Sequence, residues 1–231
     1  MHCSTNIKTT RTRIGPRSTG LSMSLEEFDA LPSFWWVKGY RYELIHEVLI
    51  VSPPPDYAEI SPNEELGYLL RFHQRTHPQG SIIDETLSEQ TIETPANRRR
   101  ADRAVWIGLG RVPILATDFP AILIEFVSPS REAFLRDYEI NRDEYLAAGV
   151  QEYWVFDRFR RTLTVFRNRP DGMMERLTVE PSQSYQTELL PGFSLPLDQI
   201  LAKADNWPRA VRRRHPAKNA PSPRPDDGGP S

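Results

Sequence analysis

Lysine is nearly absent from this chain. Of its 29 basic residues only Lys8, Lys38, Lys203 and Lys218 are lysine, so everything from Gly39 to Ala202 carries its positive charge on arginine. Arginine clamps phosphate and carboxylate well but stays protonated at any working pH, which excludes a titrating amine base from that stretch. Cysteine is scarcer still: Cys3 stands alone, which excludes an internal disulfide and fits a reducing, cytoplasmic compartment. There is no run of eighteen apolar residues and no apolar signal-like segment near the N-terminus, so neither a membrane span nor secretion is expected. A large excess of one charge is missing too. The formal net charge of -2 excludes a generally basic nucleic-acid coat and leaves only local concentrations of positive charge.

What is present is enough for one folded unit. A length of 231 residues with 39% hydrophobic content supports a real core. Residues 1–22 are rich in Ser, Thr, Arg and Gly without apolar periodicity and read as a disordered leader, with Met23 as an alternative start; 23–205 read as the domain, and 206–231 as a disordered Pro-, Arg- and Gly-rich tail. Ser24 and Glu27 form a capping-box pattern for a short helix closed by Pro32. A strand or hairpin is expected over Tyr40–Val51 and a helix over Pro62–His77, in which His73 reads as a partly buried helix residue rather than a ligand. Strands are expected over Ser81–Leu87 and Ser88–Thr94, and a helix over Glu132–Ala148 ended by Gly149. A hairpin follows over Gln151–Asp157 and Thr162–Asn168, then a strand near Met174–Val179 and a last helix near Leu197–Ala204.

The chemistry concentrates around Ala121–Ser130, Ala-Ile-Leu-Ile-Glu-Phe-Val-Ser-Pro-Ser. Side chains alternate along a strand, so Leu123, Glu125 and Val127 share one face while Ile122, Ile124 and Phe126 share the other; apolar residues on both faces predict a covered strand. A lone ionised carboxylate there costs several kcal/mol unless it is paired, hydrogen-bonded or bound to a metal. The plain reading is a strand-end glutamate bonded to a nearby arginine. A second acid, Asp102, opens another apolar run, Ala104–Ile107, and two acids at the mouths of adjacent strands suit a hard cation such as Mg²⁺. Glu43, inside the first hairpin, is a third acid to follow. The triplet Arg98, Arg99 and Arg100 beside Asp102 reads as a solvated turn or as a clamp for a phosphate backbone. On the helix after Glu125, the stripe Phe134, Tyr138, Asn141, Tyr145 and Ala148 is apolar or aromatic except at Asn141, an amide that needs a polar partner.

Several stretches carry a family resemblance: Tyr42-Glu43-Leu44-Ile45, Arg100-Ala-Asp102, Ile124-Glu125-Phe-Val-Ser-Pro-Ser130, Arg136-Asp137-Tyr138, Tyr145-Leu-Ala-Ala-Gly149-Val-Gln-Glu-Tyr153-Trp154 and Leu190-Pro-Gly-Phe193. Together, over about Leu25–Leu201, they resemble the Uma-two family of restriction-endonuclease-like proteins in the PD-(D/E)XK nuclease superfamily. The resemblance implies an α/β (α+β) restriction-endonuclease-like core, a mixed central sheet flanked by helices, with an added C-terminal β-hairpin region. It implies Mg²⁺ or Mn²⁺ held by Asp102 and Glu125, with Glu43 as a third acid, hydrolysis of DNA phosphodiester bonds, and room for a homodimer, although no interface signature is legible.

Two departures bear on activity. Ala101 replaces the proline expected before Asp102, which alters the strand entry but removes no chemistry. The superfamily pattern places its lysine at Val127, and the family places it at Asn141, so both positions are neutral here. An amide can orient a water weakly but cannot stabilise negative charge as an ammonium does. The expectation is therefore a metal-dependent endonuclease with a slowed or silent site. The alternative is a catalytically inactive DNA-binding or assembly module that keeps the fold. A third reading pairs Asp102 and Glu125 with arginines and needs no metal.

Overall fold

The computed structural model describes residues 13–129, 136–169 and 171–207. Helix α1 (Leu25–Ala30) begins at the expected capping box, with the Ser24 amide donating to Glu27 at 2.8 Å and the Glu27 amide to Ser24 Oγ at 3.2 Å. Strands β1 (Arg41–Ile45) and β2 (Val48–Ser52) form a hairpin whose turn residues, His46 and Glu47, both adopt left-handed backbone angles, as a tight turn between twisted strands requires.

Helix α2 runs Tyr57–Thr76 and starts five residues before the sequence expectation. Asp56 is the reason: its side chain accepts the Glu59 amide at 3.0 Å and caps the helix, leaving Pro62 inside, near the N-terminal end. Ile83–Glu93 is one strand, β3, where two were expected; Glu89, at a φ of 55°, marks the bend between them without breaking the pairing with β4 (Arg98–Ile107).

After β5 (Ile122–Phe126) come a π-helical turn, Arg136–Ile140, and α3 (Asn141–Ala147), closed by Gly149 at a φ of 102°. The first part of the expected helix, with Phe134, lies outside the described residues. Strands β6 (Glu152–Asp157), β7 (Thr162–Asn168) and β8 (Met174–Val179) follow, then a short pair, β9 (Ser184–Tyr185) and β10 (Leu195–Pro196), and α4 (Leu197–Asp205).

The main sheet has the order β2-β1-β4-β5-β6-β7-β8, with β3 also paired to β4. Only β5 and β6 are parallel, because α3 carries the chain across between them; every other pair is antiparallel, so the sheet is mixed as expected. The expected C-terminal hairpin is not an appendage: β6, β7 and β8 complete the central sheet. Alternation along β5 sorts its residues as the sequence implied. Ile122, Ile124 and Phe126 pack with Leu66, Leu70 and Leu201 of α2 and α4, while Leu123 and Val127 pack with Tyr138, Tyr145 and Tyr153 on the α3 side.

Glu152 shows how a buried carboxylate can be purely structural. It accepts Trp154 Nε1 at 2.8 Å, Tyr185 Oη at 2.9 Å and Thr187 Oγ1 at 2.6 Å, tying the β9 region to β6.

The leader is a correction. From Arg13 onward it docks on the first hairpin: the Gly20 amide donates to Leu49 O at 2.8 Å, the Leu49 amide to Leu21 O at 2.8 Å, and Ile14 and Met23 bury against Leu44 and Leu49. The outer edge of β2 otherwise exposes unpaired backbone, and two isolated apolar residues suffice to anchor a cover for it. At the other end Trp207 stacks on Tyr57 with ring centroids 4.8 Å apart.

Candidate active site

The site lies where the sheet forks. On the edge of β4 away from β3, β5 pairs only with Arg103 to Val105, and β1 pairs only at Arg98. Between them β4 has no strand on that edge, and its backbone needs other partners. Glu43 supplies one for β4, and Asp102 reaches across to serve the backbone of β5. Glu43 Oε1 accepts the Arg100 amide at 3.2 Å, and Asp102 Oδ2 accepts the Phe126 amide at 2.7 Å. One further step of the β4–β5 register sets Asp102 opposite Glu125. All three expected acids, Glu43, Asp102 and Glu125, are buried.

Their partners differ. Asp102 Oδ1 accepts Arg41 Nη2 at 2.6 Å, and Arg41 is shared with Glu89. Burial works against the Arg41 charge, but Asp102 and Glu89 outweigh it and hold its pKa above the ordinary value. Among the described residues Glu125 has no ion pair and accepts a long hydrogen bond from Tyr145 Oη at 3.5 Å. Burial first, then the charges of Asp102 and Asp137, push its pKa well above the carboxylate range, against Arg136 and Arg41.

Two more acids belong here that the sequence reading did not single out. Asp137 is raised to about 7 by burial, with Arg136 opposing the rise and Asp102 and Glu43 adding to it. Glu59 is likewise raised to about 7 by burial, opposed by the 2.8 Å hydrogen bond from Ser128 Oγ and assisted by Asp102. A cavity of about 390 Å³ opens over this group, lined among others by Arg41, Glu43, Glu59, Arg100, Glu125 and Arg136. A second, of about 440 Å³, shares Arg41, Glu59 and Arg100 and reaches Asp102. Asp137 could have been found from the Arg136-Asp137-Tyr138 stretch; Arg41 and Glu59 carried no local signal.

The arginine triplet is divided among three environments. Arg98 turns to Asp29 at 2.6 Å, and Arg99, 1% exposed, is buried against Glu144 at 2.7 Å, where no backbone phosphate can reach it. Only Arg100 lines the cavity. Asn141 is buried, and its Oδ1 meets no donor among the described residues. It stands one helical turn before Tyr145, on the face directed at Glu125, but does not line the cavity. His73 is buried in α2 and stacks on His77 with centroids 4.6 Å apart, far from this chemistry in role.

The donor set suits a hard cation: Asp102 and Glu125 offer oxygen only, and the burial and then the Asp102 charge that raise the Glu125 acid are both effects that a cation between the two would offset. Among the described residues no three acids or histidines converge as a ready-made cage. Two carboxylates with remaining positions left to water and phosphate is the arrangement the residues permit.

The family model described as "Putative restriction endonuclease", Uma2, matches residues 25–198. The chain belongs to the Uma2 family. Among solved structures, this Uma2 chain is similar to a "putative nuclease belonging to DUF820" from Anabaena variabilis, with a TM-score of 0.60 and 19% identity over 79% of this chain and 99% of that one. That likeness is one of fold. No curated protein matches. Among the described residues, no helix is long and apolar enough to cross a membrane.

Proposed function

We propose that this Uma2 chain hydrolyses phosphodiester bonds of DNA in the cavity at the β4–β5 fork, with Mg²⁺ or Mn²⁺ held by Asp102 and Glu125. The observation that carries the reading is the pairing of these two buried acids across the fork, where Glu125 has no ion pair among the described residues and lines an open cavity. When bound there, a divalent cation would polarise the phosphoryl oxygen and lower the pKa of the attacking water. Asp102 is positioned by the Phe126 amide and Arg41, so its second oxygen must be shared between Arg41 and any incoming cation. Glu43 fixes the β4 backbone through Arg100 and lines the same cavity, which makes it a supporting acid whose first task is to hold the fork open. Arg100 is the triplet member available to the nucleic-acid backbone.

A second reading, a catalytically inactive DNA-binding or assembly module, is favoured by Asn141 in the place of the family's lysine and by the existing Arg41–Asp102 pair. A plasmid-nicking assay with Mg²⁺ and Mn²⁺ separates the two. Metal-dependent nicking that disappears in Glu125→Ala supports the first; DNA binding by the native chain without scission at any metal concentration supports the second.

A further inference from the structure

The site has lost a lysine at both expected positions, yet it is not without a cation. We propose that Arg136 takes over the charge-stabilising part of the missing lysine's task, donating from its guanidinium to the phosphoryl oxygens of the nucleic acid held in the cavity. The inference rests on the nuclease reading above and names the residue that completes it.

The argument begins with helix phase. In an α-helix, residues five apart point roughly 140° away from each other, so Arg136 and Asn141 would face different sides. Arg136–Ile140 is a π-helical turn, whose hydrogen bonds run from i to i+5 and whose wider turn puts residues five apart on roughly the same side of the helix, as residues four apart are in an α-helix. Arg136 is therefore turned toward the same side as Asn141, the side from which Tyr145 reaches Glu125. The local departure from α geometry brings an arginine to the cavity wall, where it lies alongside Glu43 and Glu125.

Its engagement is lighter than that of Arg41 and like that of Arg100, which also meets its carboxylate through Nε. Arg41 is held by both Asp102 and Glu89, and Arg100 by Glu89. Among the described residues Arg136 makes its ion pair through Nε with Asp137, at 3.0 Å, which leaves the outer two nitrogens of the fork for an acceptor in the cavity. After Asp137, the acids whose charges it feels most are Glu43 and Glu125. A guanidinium presents planar paired donors that match two phosphoryl oxygens, and it cannot release a proton at working pH. Its contribution is thus electrostatic stabilisation of charge that develops on the phosphoryl group, without any proton transfer.

The plain alternative is that Arg136 is only the counter-ion of buried Asp137. Three variants separate the roles in a plasmid-nicking assay with Mn²⁺, run beside native protein and Glu125→Ala. Arg136→Lys keeps Asp137 paired but loses the planar fork; Arg136→Gln with Asp137→Asn removes both charges together, so that no buried carboxylate is orphaned; the third adds Asn141→Lys to that pair. The expected result is slower cleavage in Arg136→Lys, a fall in kcat of about 10²- to 10³-fold in the double variant at nearly unchanged melting temperature, and partial recovery with Asn141→Lys. Native cleavage abolished by Glu125→Ala, but unchanged in Arg136→Lys and in the folded double variant, overturns the role of Arg136 and leaves the nuclease reading standing. Should the double variant not fold, Arg136→Lys at the native rate alone overturns it. An absence of metal-dependent scission in the native chain removes the nuclease reading and this inference with it.

Discussion

The amide of Phe126 donates to Asp102 Oδ2 at 2.7 Å, so a side chain stands where the ladder between β4 and β5 would otherwise continue. The same carboxylate also receives Arg41 at 2.6 Å. One residue thus closes the backbone, balances an arginine and faces Glu125. Substituting Asp102 with Ala should destabilise the fold by about 2 to 3 kcal/mol, since a buried amide loses a charged acceptor and Arg41 keeps only Glu89. Asp102→Asn, which retains an acceptor for the amide, should cost clearly less in urea denaturation. Equal costs would show that the Phe126 bond contributes nothing.

Divalent metal should stabilise the native chain against heat. A ligand bound only by the folded state at about 100 times its Kd adds about 2.7 kcal/mol. The rise in melting temperature with Mn²⁺ should vanish in Glu125→Gln, whose neutral amide is a poor ligand and no longer repels Asp102. An equal rise in that variant would place the cation elsewhere.

Glu59 gives a pH signature. Its folded pKa of about 7 lies above the ordinary carboxylate value of 4.5. Between those values the folded chain keeps a proton that the unfolded chain has released, so this group makes stability fall as pH rises through the window and leaves it level above. The ionised form costs on the order of 3 kcal/mol. Glu59→Gln still accepts the Ser128 hydroxyl and lacks the titration, so its stability relative to the native chain should improve from pH 5 to about pH 7 and level off above. A constant difference across that range would mean that Glu59 titrates normally.

A chain beginning at Met23 should be less stable than the full chain, contrary to what the composition of residues 1–22 implies. Ile14 is buried and the 13–22 segment covers the β2 edge; losing that burial alone is worth about 2 kcal/mol, or a melting temperature lower by roughly 4 to 8 °C. Equal melting curves would show that the segment does not dock.

Asn141→Lys should raise metal-dependent cleavage by roughly 10²- to 10⁴-fold, because it returns a titrating amine to the helix face directed at Glu125. Its buried ammonium is tolerable only beside a carboxylate. A variant that is destabilised and no more active would show that Asn141 is a core amide.

The sequence by itself determined the elements that depend on near neighbours. The capping box at Ser24, the two-faced strand at Ile122–Phe126, the hairpin at Glu152–Asn168 and the turn at Gly149 follow from alternation, helical spacing and caps, all of which act over a few residues. The acids Asp102, Glu125 and Glu43 were legible for the same reason, as charges in apolar strands, and the motif stretches gave them a family. The tertiary structure alone decided what those acids face. That β4 leaves a gap between β1 and β5, that Arg41 reaches Asp102 across sixty-one positions, that Arg99 points inward while Arg100 lines the cavity, and that Glu59 on α2 joins the site are consequences of sheet order. Sequence offered nothing to fix them, because a side chain's partner across the sheet is set by strand register and not by composition. The same holds at Arg136: α-helical phase turns it away from the site, and the π-turn, a backbone choice made once the helix packs against the sheet, brings it in.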